Sequence, residues 1–76
     1  MNNLVIGGLY THFKSKDMVY KVIDIATHSE TGDKLVVYQS QYDNKIWARP
    51  YDMFLDEVPK DKENPTNQTY RFELVK

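Results

Sequence analysis

The chain contains no cysteine, and it has only three glycines and three prolines among its 76 residues. Without cysteine, disulfides, zinc–thiolate sites and iron–sulfur clusters are excluded, so a domain this small has to be held together by packing. Long apolar runs are lacking too, since no segment approaches the roughly 20 residues that span a bilayer. The N-terminal residues also lack the basic and apolar regions of a signal peptide. We therefore expect a single cytoplasmic domain over residues 1–76, with no membrane contact.

The sequence also lacks an excess of charge of either sign. Ten Lys and Arg residues stand against eleven Asp and Glu residues, for a formal net charge of −1, and the two signs are interspersed. Proteins that hold phosphate backbones usually carry a basic excess or a basic stripe. This composition therefore disfavours nucleic acid as a partner.

Bulky apolar residues are present instead, including six Tyr, three Phe and one Trp. Apolar and polar residues alternate in five short segments, and such alternation is typical of half-buried strands. The predicted strands are Gly8–Lys14, Met18–His28, Lys34–Tyr42, Ile46–Arg49 and Tyr70–Val75. Polar turns separate them, and Ser15–Asp17 is predicted to be a three-residue turn.

One proline marks the end of the fourth segment, and the other two lie in an irregular segment. Pro50 must end the fourth strand because it cannot donate to the ladder, and Asp52 after it favours one turn of α- or 3₁₀-helix. In that turn, Met53 and Phe54 are predicted to cover an open barrel end. The segment 59–69 has no hydrophobic periodicity and contains two prolines, so we expect an exposed, mobile loop.

Together these elements predict an all-β fold, a small single-domain SH3-like barrel of five strands with one short helical turn after the fourth. Closure into a barrel would remove the exposed edges of apolar strands. The alternative is an open sheet that covers one face by dimerising. We therefore expect a monomer or a weak dimer.

The segment HSETGD, residues 28–33, supplies the turn of the second hairpin. A three-residue loop at Thr31–Asp33 would place Glu30 opposite Lys34 and His28 opposite Val36, with Gly32 providing a positive φ. This register gathers several residues on one surface, namely Tyr20, Val22, Ala26, His28, Val36, Tyr38 and Tyr42.

His28 and Glu30 share a face in this register, which leaves two interpretations open. His28 is either a base oriented by Glu30 or a structural histidine beside a turn braced by Ser29 and Thr31. The second is favoured because no nucleophile is marked. A metal site of His12, His28 and Glu30 is disfavoured, since the histidines would lie about 25 Å apart in a flat ribbon. No metal or cofactor is therefore predicted.

Trp47 and Arg49 share a face of the fourth strand. We expect Trp47 to lie in the core. Arg49 has two open interpretations, either an ion pair with an acidic neighbour such as Glu30 or Asp52, or a seat for a carboxylate or phosphate.

Five short patterns resemble one known family over nearly the whole chain and in the same order. They are GxYxHxK at Gly8–Lys14, AxHSET at Ala26–Thr31, VVY at Val36–Tyr38, WxRPxxMF at Trp47–Phe54 and RF at Arg71–Phe72. The sequence is similar to the small bacterial family catalogued as domain of unknown function 1653. This resemblance implies a compact β fold in a bacterial or phage-derived protein and no established activity. It also suggests which positions the family keeps: Tyr10, His12, Lys14, His28, Ser29, Glu30, Thr31, Tyr38, Trp47, Arg49, Pro50, Met53, Phe54, Arg71 and Phe72.

The leading functional prediction is a non-catalytic binding module with a polar and aromatic pocket at the barrel rim. Its candidate residues are His28, Glu30, Tyr38, Trp47 and Arg49. The predicted partner is a small anionic ligand, a peptide or another protein. One alternative is a small hydrolase-like enzyme with His28 as base, Glu30 as its orienter and Arg49 as anion stabiliser. The other is an accessory protein-interaction domain that uses an open sheet edge.

Overall fold

A computed structural model describes residues 4–75 of the chain, and it is almost entirely β. Its elements are β1 (Leu9–His12), β2 (Ser15–Thr27), β3 (Lys34–Ser40), β4 (Ile46–Pro50), α1 (Tyr51–Phe54) and β5 (Phe72–Leu74). The strands are antiparallel and form one sheet in the order β4-β3-β2-β1-β5. The all-β class and the short helix after the fourth strand are confirmed.

The sheet is open, with β4 and β5 at its two edges. Within residues 4–75, β4 pairs with β3 and β5 pairs with β1, so no ladder joins the two edge strands. The predicted closure into a barrel is therefore not confirmed. The fifth strand is only three residues long, which leaves little backbone for a second ladder.

The first hairpin turns earlier than the sequence predicts. Phe13 and Lys14 form a two-residue turn, and Ser15 lies opposite His12 as the first residue of β2. The hydroxyl of Ser15 accepts a hydrogen bond from the backbone N–H of Asp17 at 3.1 Å. The polar residues that suggested a turn thus belong to a strand with an exposed start, and the predicted turn at Ser15–Asp17 is wrong.

The second hairpin joins β2 to β3, but its register differs from the predicted one. Lys34 lies opposite Thr27 rather than Glu30. A bulge between Val22 and Asp24 then shifts the ladder again. A bulge leaves one residue unpaired, so a strict two-residue alternation carried across it gives the wrong partners.

The HSETGD segment is confirmed as the loop of this hairpin, and all six of its residues lie outside the strands. The N–H of His28 donates to the carbonyl of Asp33 at 2.8 Å, and the N–H of Gly32 donates to the carbonyl of His28 at 2.9 Å. Gly32 has a φ of 76°, a region that favours glycine. The predicted pairing of His28 with Val36 is therefore wrong, because His28 begins the loop.

The core lies on one face of the bent sheet and under α1. Seven side chains form its buried cluster: Tyr10, Tyr20, Val22, Val36, Tyr38, Phe54 and Phe72. Four of the residues predicted to share a surface are among them. Tyr42, also predicted there, is 59% exposed.

The helix α1 covers the core with one of the two predicted residues. Phe54 is fully buried, and its ring stacks on that of Phe72 with centroids 4.2 Å apart. Met53, in contrast, is 46% exposed. A single helical turn can direct only one of two consecutive side chains inward, so the prediction that both cover the barrel end is half right.

The segment from residue 59 to residue 69 is irregular, and its polar side chains fasten it to the first hairpin. The Thr66 hydroxyl donates to the carbonyl of Phe13 at 2.8 Å. The Gln68 amide donates to the carbonyl of Thr11 at 3.2 Å and accepts from the Thr11 hydroxyl at 3.0 Å. These bonds hold the long loop beside the turn that carries Lys14.

Candidate functional site

Two adjoining surface depressions lie where the edge strands approach each other across the core. The first, here called the basic depression, has a volume of about 260 Å³, and the second, the aromatic depression, about 190 Å³. Both are lined by His12, Lys14 and Arg49. Together the two depressions form the joint pocket, which reaches the lower end of the size range of ligand sites.

The basic depression collects positive charge from four different parts of the chain. Lys14 comes from the first turn, Arg49 from β4, Lys62 from the long loop and Arg71 from the residue before β5. Within the described part of the chain, no carboxylate side chain lines either depression. A chain with nearly balanced charges therefore has a local excess of positive charge.

Arg49 and Arg71 are held by neutral groups. Nε of Arg49 lies 3.4 Å from the hydroxyl of Tyr38, and its guanidinium carbon lies 5.5 Å from the centre of the Phe72 ring. Nε of Arg71 lies 3.4 Å from the carbonyl oxygen of Glu57. The interpretation of Arg49 as the partner of an acidic neighbour finds no support, because neither guanidinium contacts a carboxylate among residues 4–75.

His12 lies between the two depressions and is buried, with 8% of its surface exposed. Its ring stacks on Phe13 at 4.6 Å and meets the edge of Phe72 at 4.9 Å. The backbone N–H of Lys14 donates to its Nδ1 at 3.1 Å. Because Nδ1 accepts, the neutral imidazole carries its proton on Nε2 and can donate from there.

The electrostatic environment keeps His12 neutral. Burial, followed by the positive charges of Arg49, Lys14 and Arg71, lowers the pKa of His12 from 6.5 to about 4. Burial disfavours the charged imidazolium, and nearby cations repel it. A base works best when its pKa lies near the working pH, so this histidine is suited to donating a hydrogen bond rather than to accepting a proton from a substrate.

The aromatic depression has a neutral floor. Tyr20, Tyr38 and Phe72 line it and are buried, with edge-to-face contacts at centroid distances of 5.3 to 5.6 Å. Burial, and then a hydrogen bond with the Tyr42 side chain, raises the pKa of Tyr20. Both effects keep this hydroxyl protonated at neutral pH.

Trp47 lies at the open side of the aromatic depression. It is opposite Tyr38 in the β3–β4 ladder, so both side chains leave the same face of the sheet. However, Trp47 is 48% exposed, and the expectation that it belongs to the core is wrong. β4 is an edge strand, so among residues 4–75 no strand lies beyond it to shield the indole.

His28 and Glu30 lie elsewhere, in the second hairpin loop. Nδ1 of His28 accepts the backbone N–H groups of Glu30 at 3.2 Å and of Thr31 at 3.3 Å. The Thr31 hydroxyl in turn accepts the N–H of Asp33 at 3.2 Å. Neither His28 nor Glu30 lines the joint pocket. Of the five predicted site residues, the structure therefore brings together Tyr38, Trp47 and Arg49.

The sequence prediction omits four basic residues of the joint pocket: His12, Lys14, Lys62 and Arg71. Strand alternation does put His12 and Lys14 on one face of the first strand. The family resemblance also includes His12, Lys14 and Arg71, but not Lys62, among the positions it keeps. What was missing is the bend of the sheet, which places β5 and the long loop beside β4.

No group of three or more His, Asp or Glu side chains among residues 4–75 is arranged to hold a metal ion. The only helix in that range is the four-residue α1, and none is long and apolar enough to cross a membrane.

Comparison with known proteins gives one match. A family model described as "Protein of unknown function (DUF1653)" matches residues 8–74, which include every residue named in the joint pocket. No curated protein matches the chain, and no solved structure does.

Proposed function

The chain belongs to the DUF1653 family, whose description assigns no activity, and we propose that it is a non-catalytic module that binds a small anionic ligand in the basic depression. The observation that carries this proposal is the meeting of Lys14, Arg49 and Arg71 around His12 without a carboxylate among them in the described chain. Positive side chains that line one depression repel one another, and a bound anion would reduce this repulsion. A bound anion would accept hydrogen bonds from the guanidinium and ammonium groups and from Nε2 of His12.

The same residues argue for binding rather than catalysis. His12 is a poor base because its pKa is lowered to about 4, and the neighbouring tyrosine hydroxyl stays protonated. In the alternative catalytic pair, His28 and Glu30, Nδ1 of His28 already accepts hydrogen bonds from two backbone N–H groups of the loop. The site is therefore suited to binding an anion rather than to hydrolysing a substrate.

We also propose that the bent sheet is an SH3-like barrel that stays open between its edge strands. The strand order β4-β3-β2-β1-β5 and the short helix between β4 and β5 support this relationship. The contact between Arg49 of β4 and Phe72 of β5 supports the approach of the two edges. From the family resemblance and the lack of cysteine, we expect the module to act in a bacterial cytoplasm.

The anion site is tested by titrating inorganic phosphate into ¹⁵N-labelled protein at constant ionic strength, with sodium chloride as the reference salt. We expect millimolar binding with chemical-shift changes at His12, Lys14 and Arg71. Lys14→Gln should weaken binding about five- to tenfold, because a charge-assisted hydrogen bond is lost. Lys16→Gln is the matched control, an exposed cation two residues away that lines neither depression.

Two results would contradict the proposal. One is the absence of saturable shifts at the basic depression. The other is equal weakening by Lys14→Gln and Lys16→Gln, which would indicate general charge attraction rather than a site.

A second candidate function is strand addition at the open edge of β4. Within residues 4–75 this strand pairs only with β3, and its Ile46 is 63% exposed. An unpaired, apolar edge is able to accept an extended partner segment. Sedimentation velocity at rising protein concentration tests self-association through this edge. Association that Ile46→Lys abolishes would support strand addition at this edge, and a monomer at every concentration would rule out addition of a second copy of the chain.

A further inference from the structure

The joint pocket combines a basic surface with an aromatic surface, and each favours a different chemical group of a ligand. Its basic half offers Lys14, Arg49 and Arg71, and its aromatic half offers the exposed indole of Trp47. The two halves share His12, Lys14 and Arg49, so one molecule can touch both. A ligand that fills the pocket therefore needs an anionic group and an apolar group a short distance apart.

The charge of the basic half favours a dianion over a monoanion. The positive charges of Arg49, Lys14 and Arg71 all act on the same buried ring, that of His12. A carboxylate would bring a single negative charge to these three cations. A phosphate monoester brings about −1.5 to −2 charges at pH 7 and three acceptor oxygens, which matches the number of cations more closely.

The exposed face of Trp47 favours an aromatic ring as the apolar group. Ring contacts connect the buried aromatic residues of the core into one network, and Trp47 takes no part in it within residues 4–75. Half of this large side chain is left to solvent on an edge strand. An indole in that position can stack on a planar ring, as aromatic side chains do in many sites that bind nucleobases.

Building on the proposed anion site, we infer that the preferred ligand is a small aromatic phosphate monoester, with its phosphate in the basic depression and its ring against Trp47. A nucleoside 5′-monophosphate and free phosphotyrosine share this chemistry. Arg49 follows Trp47 by two residues on the same strand face, so the phosphate and ring sites are adjacent. A ring attached directly, or through one sugar, to the phosphate spans this separation.

The inference is tested with four simple probes that vary one feature at a time. Inorganic phosphate carries the anion alone, phenyl phosphate adds the ring, cyclohexyl phosphate replaces the ring by a saturated one, and benzoate replaces the phosphate by a carboxylate. Because Trp47 is the only tryptophan, its fluorescence reports contact at the ring site in the unmodified protein. Adenosine 5′-monophosphate and O-phosphotyrosine, measured by calorimetry, then distinguish the two natural sources.

We expect phenyl phosphate to bind about tenfold more tightly than inorganic phosphate, and about threefold more tightly than cyclohexyl phosphate, with a change in Trp47 fluorescence. Benzoate should bind more weakly than phenyl phosphate. Trp47→Leu should remove the preference for the aromatic ring and leave inorganic phosphate binding unchanged, whereas Trp47→Phe should restore part of it. Ile46→Leu, at the neighbouring exposed position outside the pocket, should change none of these affinities.

The outcomes separate this inference from the proposed function. Binding of inorganic phosphate without any gain for phenyl phosphate would overturn the aromatic class and leave the anion site standing. Benzoate binding as tightly as phenyl phosphate would overturn the assignment to phosphate. If neither phosphate nor phenyl phosphate bound, both the inference and the proposed function would be wrong. Tighter binding of either natural compound than of phenyl phosphate would support the inference and identify its source.

Discussion

The guanidinium carbon of Arg49 lies 5.5 Å from the centre of the Phe72 ring, although the two residues stand on opposite edges of the sheet. Phe72 is also the ladder partner of His12 in the β1–β5 pair. The bend that makes this contact therefore brings the guanidinium of Arg49 on β4 close to the buried imidazole of His12 on β1. A cation over an aromatic ring contributes about 0.5 to 1 kcal/mol at an exposed site and about 2 kcal/mol when desolvated, so the contact also helps to hold the edges together.

Replacing Arg49 by Met should raise the pKa of His12. The Arg49 charge is the largest cause of the lowered pKa after burial, and Met keeps much of the side-chain length without the charge. The pKa should rise from about 4 but stay below 6.5, because burial remains. Titration of the His12 ring by NMR measures this pKa in the wild type and in Arg49→Met. Lys45→Met serves as the control, since Lys45 lies outside the joint pocket. An unchanged His12 pKa in Arg49→Met would refute this electrostatic account.

The stability of the domain should fall as the solution is acidified. His12 has a pKa of about 4 in the folded protein and 6.5 as an unperturbed group, so the unfolded chain takes up the proton first. The contribution of neutral His12 to the free energy of unfolding is complete above pH 6.5 and is lost as the pH falls to about 4. Its full size is roughly 3 kcal/mol at 1.4 kcal/mol for each pH unit.

Urea unfolding between pH 4 and pH 8 measures this loss of stability in acid. The variant His12→Gln should lose most of the pH dependence in that window, whatever its stability at pH 7. His28→Gln should retain it, because His12 is still present. A profile for His12→Gln that parallels the wild type would show that other groups cause the acid loss.

Two neighbouring residues of α1 should differ sharply in their effect on stability. Phe54→Ala removes a fully buried ring that stacks on Phe72 and should cost roughly 3 to 5 kcal/mol, enough to unfold much of so small a domain. Met53→Ala, at a half-exposed position, should change stability by less than about 1 kcal/mol. Circular dichroism during thermal unfolding compares the two, and similar losses would contradict the packing of α1.

Local signals in the sequence predicted the elements of the fold well. Alternation of apolar and polar residues located the strands, and Pro50 followed by Asp52 indicated the helical turn. These signals act over a few residues, so they can be read along the chain. Tyr20 and Tyr38 do share the core surface, although the hairpin register from which this was predicted is wrong.

Register and site composition depend on features that the local patterns do not carry. The bulge after Val22 and the early turn at Phe13 each shift pairing without changing composition. His12 and Arg49 are brought together only by the order of the strands and the bend of the sheet. The HSETGD segment looked functional because it is rich in polar residues, whereas its side chains mainly bond to the loop backbone.

The second hairpin loop should matter for stability and not for anion binding. His28→Ala removes an acceptor for two backbone N–H groups and should cost about 1 to 2 kcal/mol, moderated by exposure to water. The affinity for inorganic phosphate should be unchanged in His28→Ala and in Glu30→Gln, as measured by chemical-shift titration. A marked loss of affinity in either variant would show that this loop takes part in anion binding.

The most direct test of the anion site is the pKa of His12 measured by NMR with and without sulfate, at ionic strength balanced by sodium chloride. Sulfate keeps its charge over this pH range, so only the protein titrates. An anion held among Arg49, Lys14 and Arg71 would offset the charges that lower this pKa. We predict that saturating sulfate raises the His12 pKa from about 4 toward 6.5, and that Lys14→Gln weakens the effect. A His12 pKa that is the same in sulfate and chloride would contradict the presence of an anion site in the pocket.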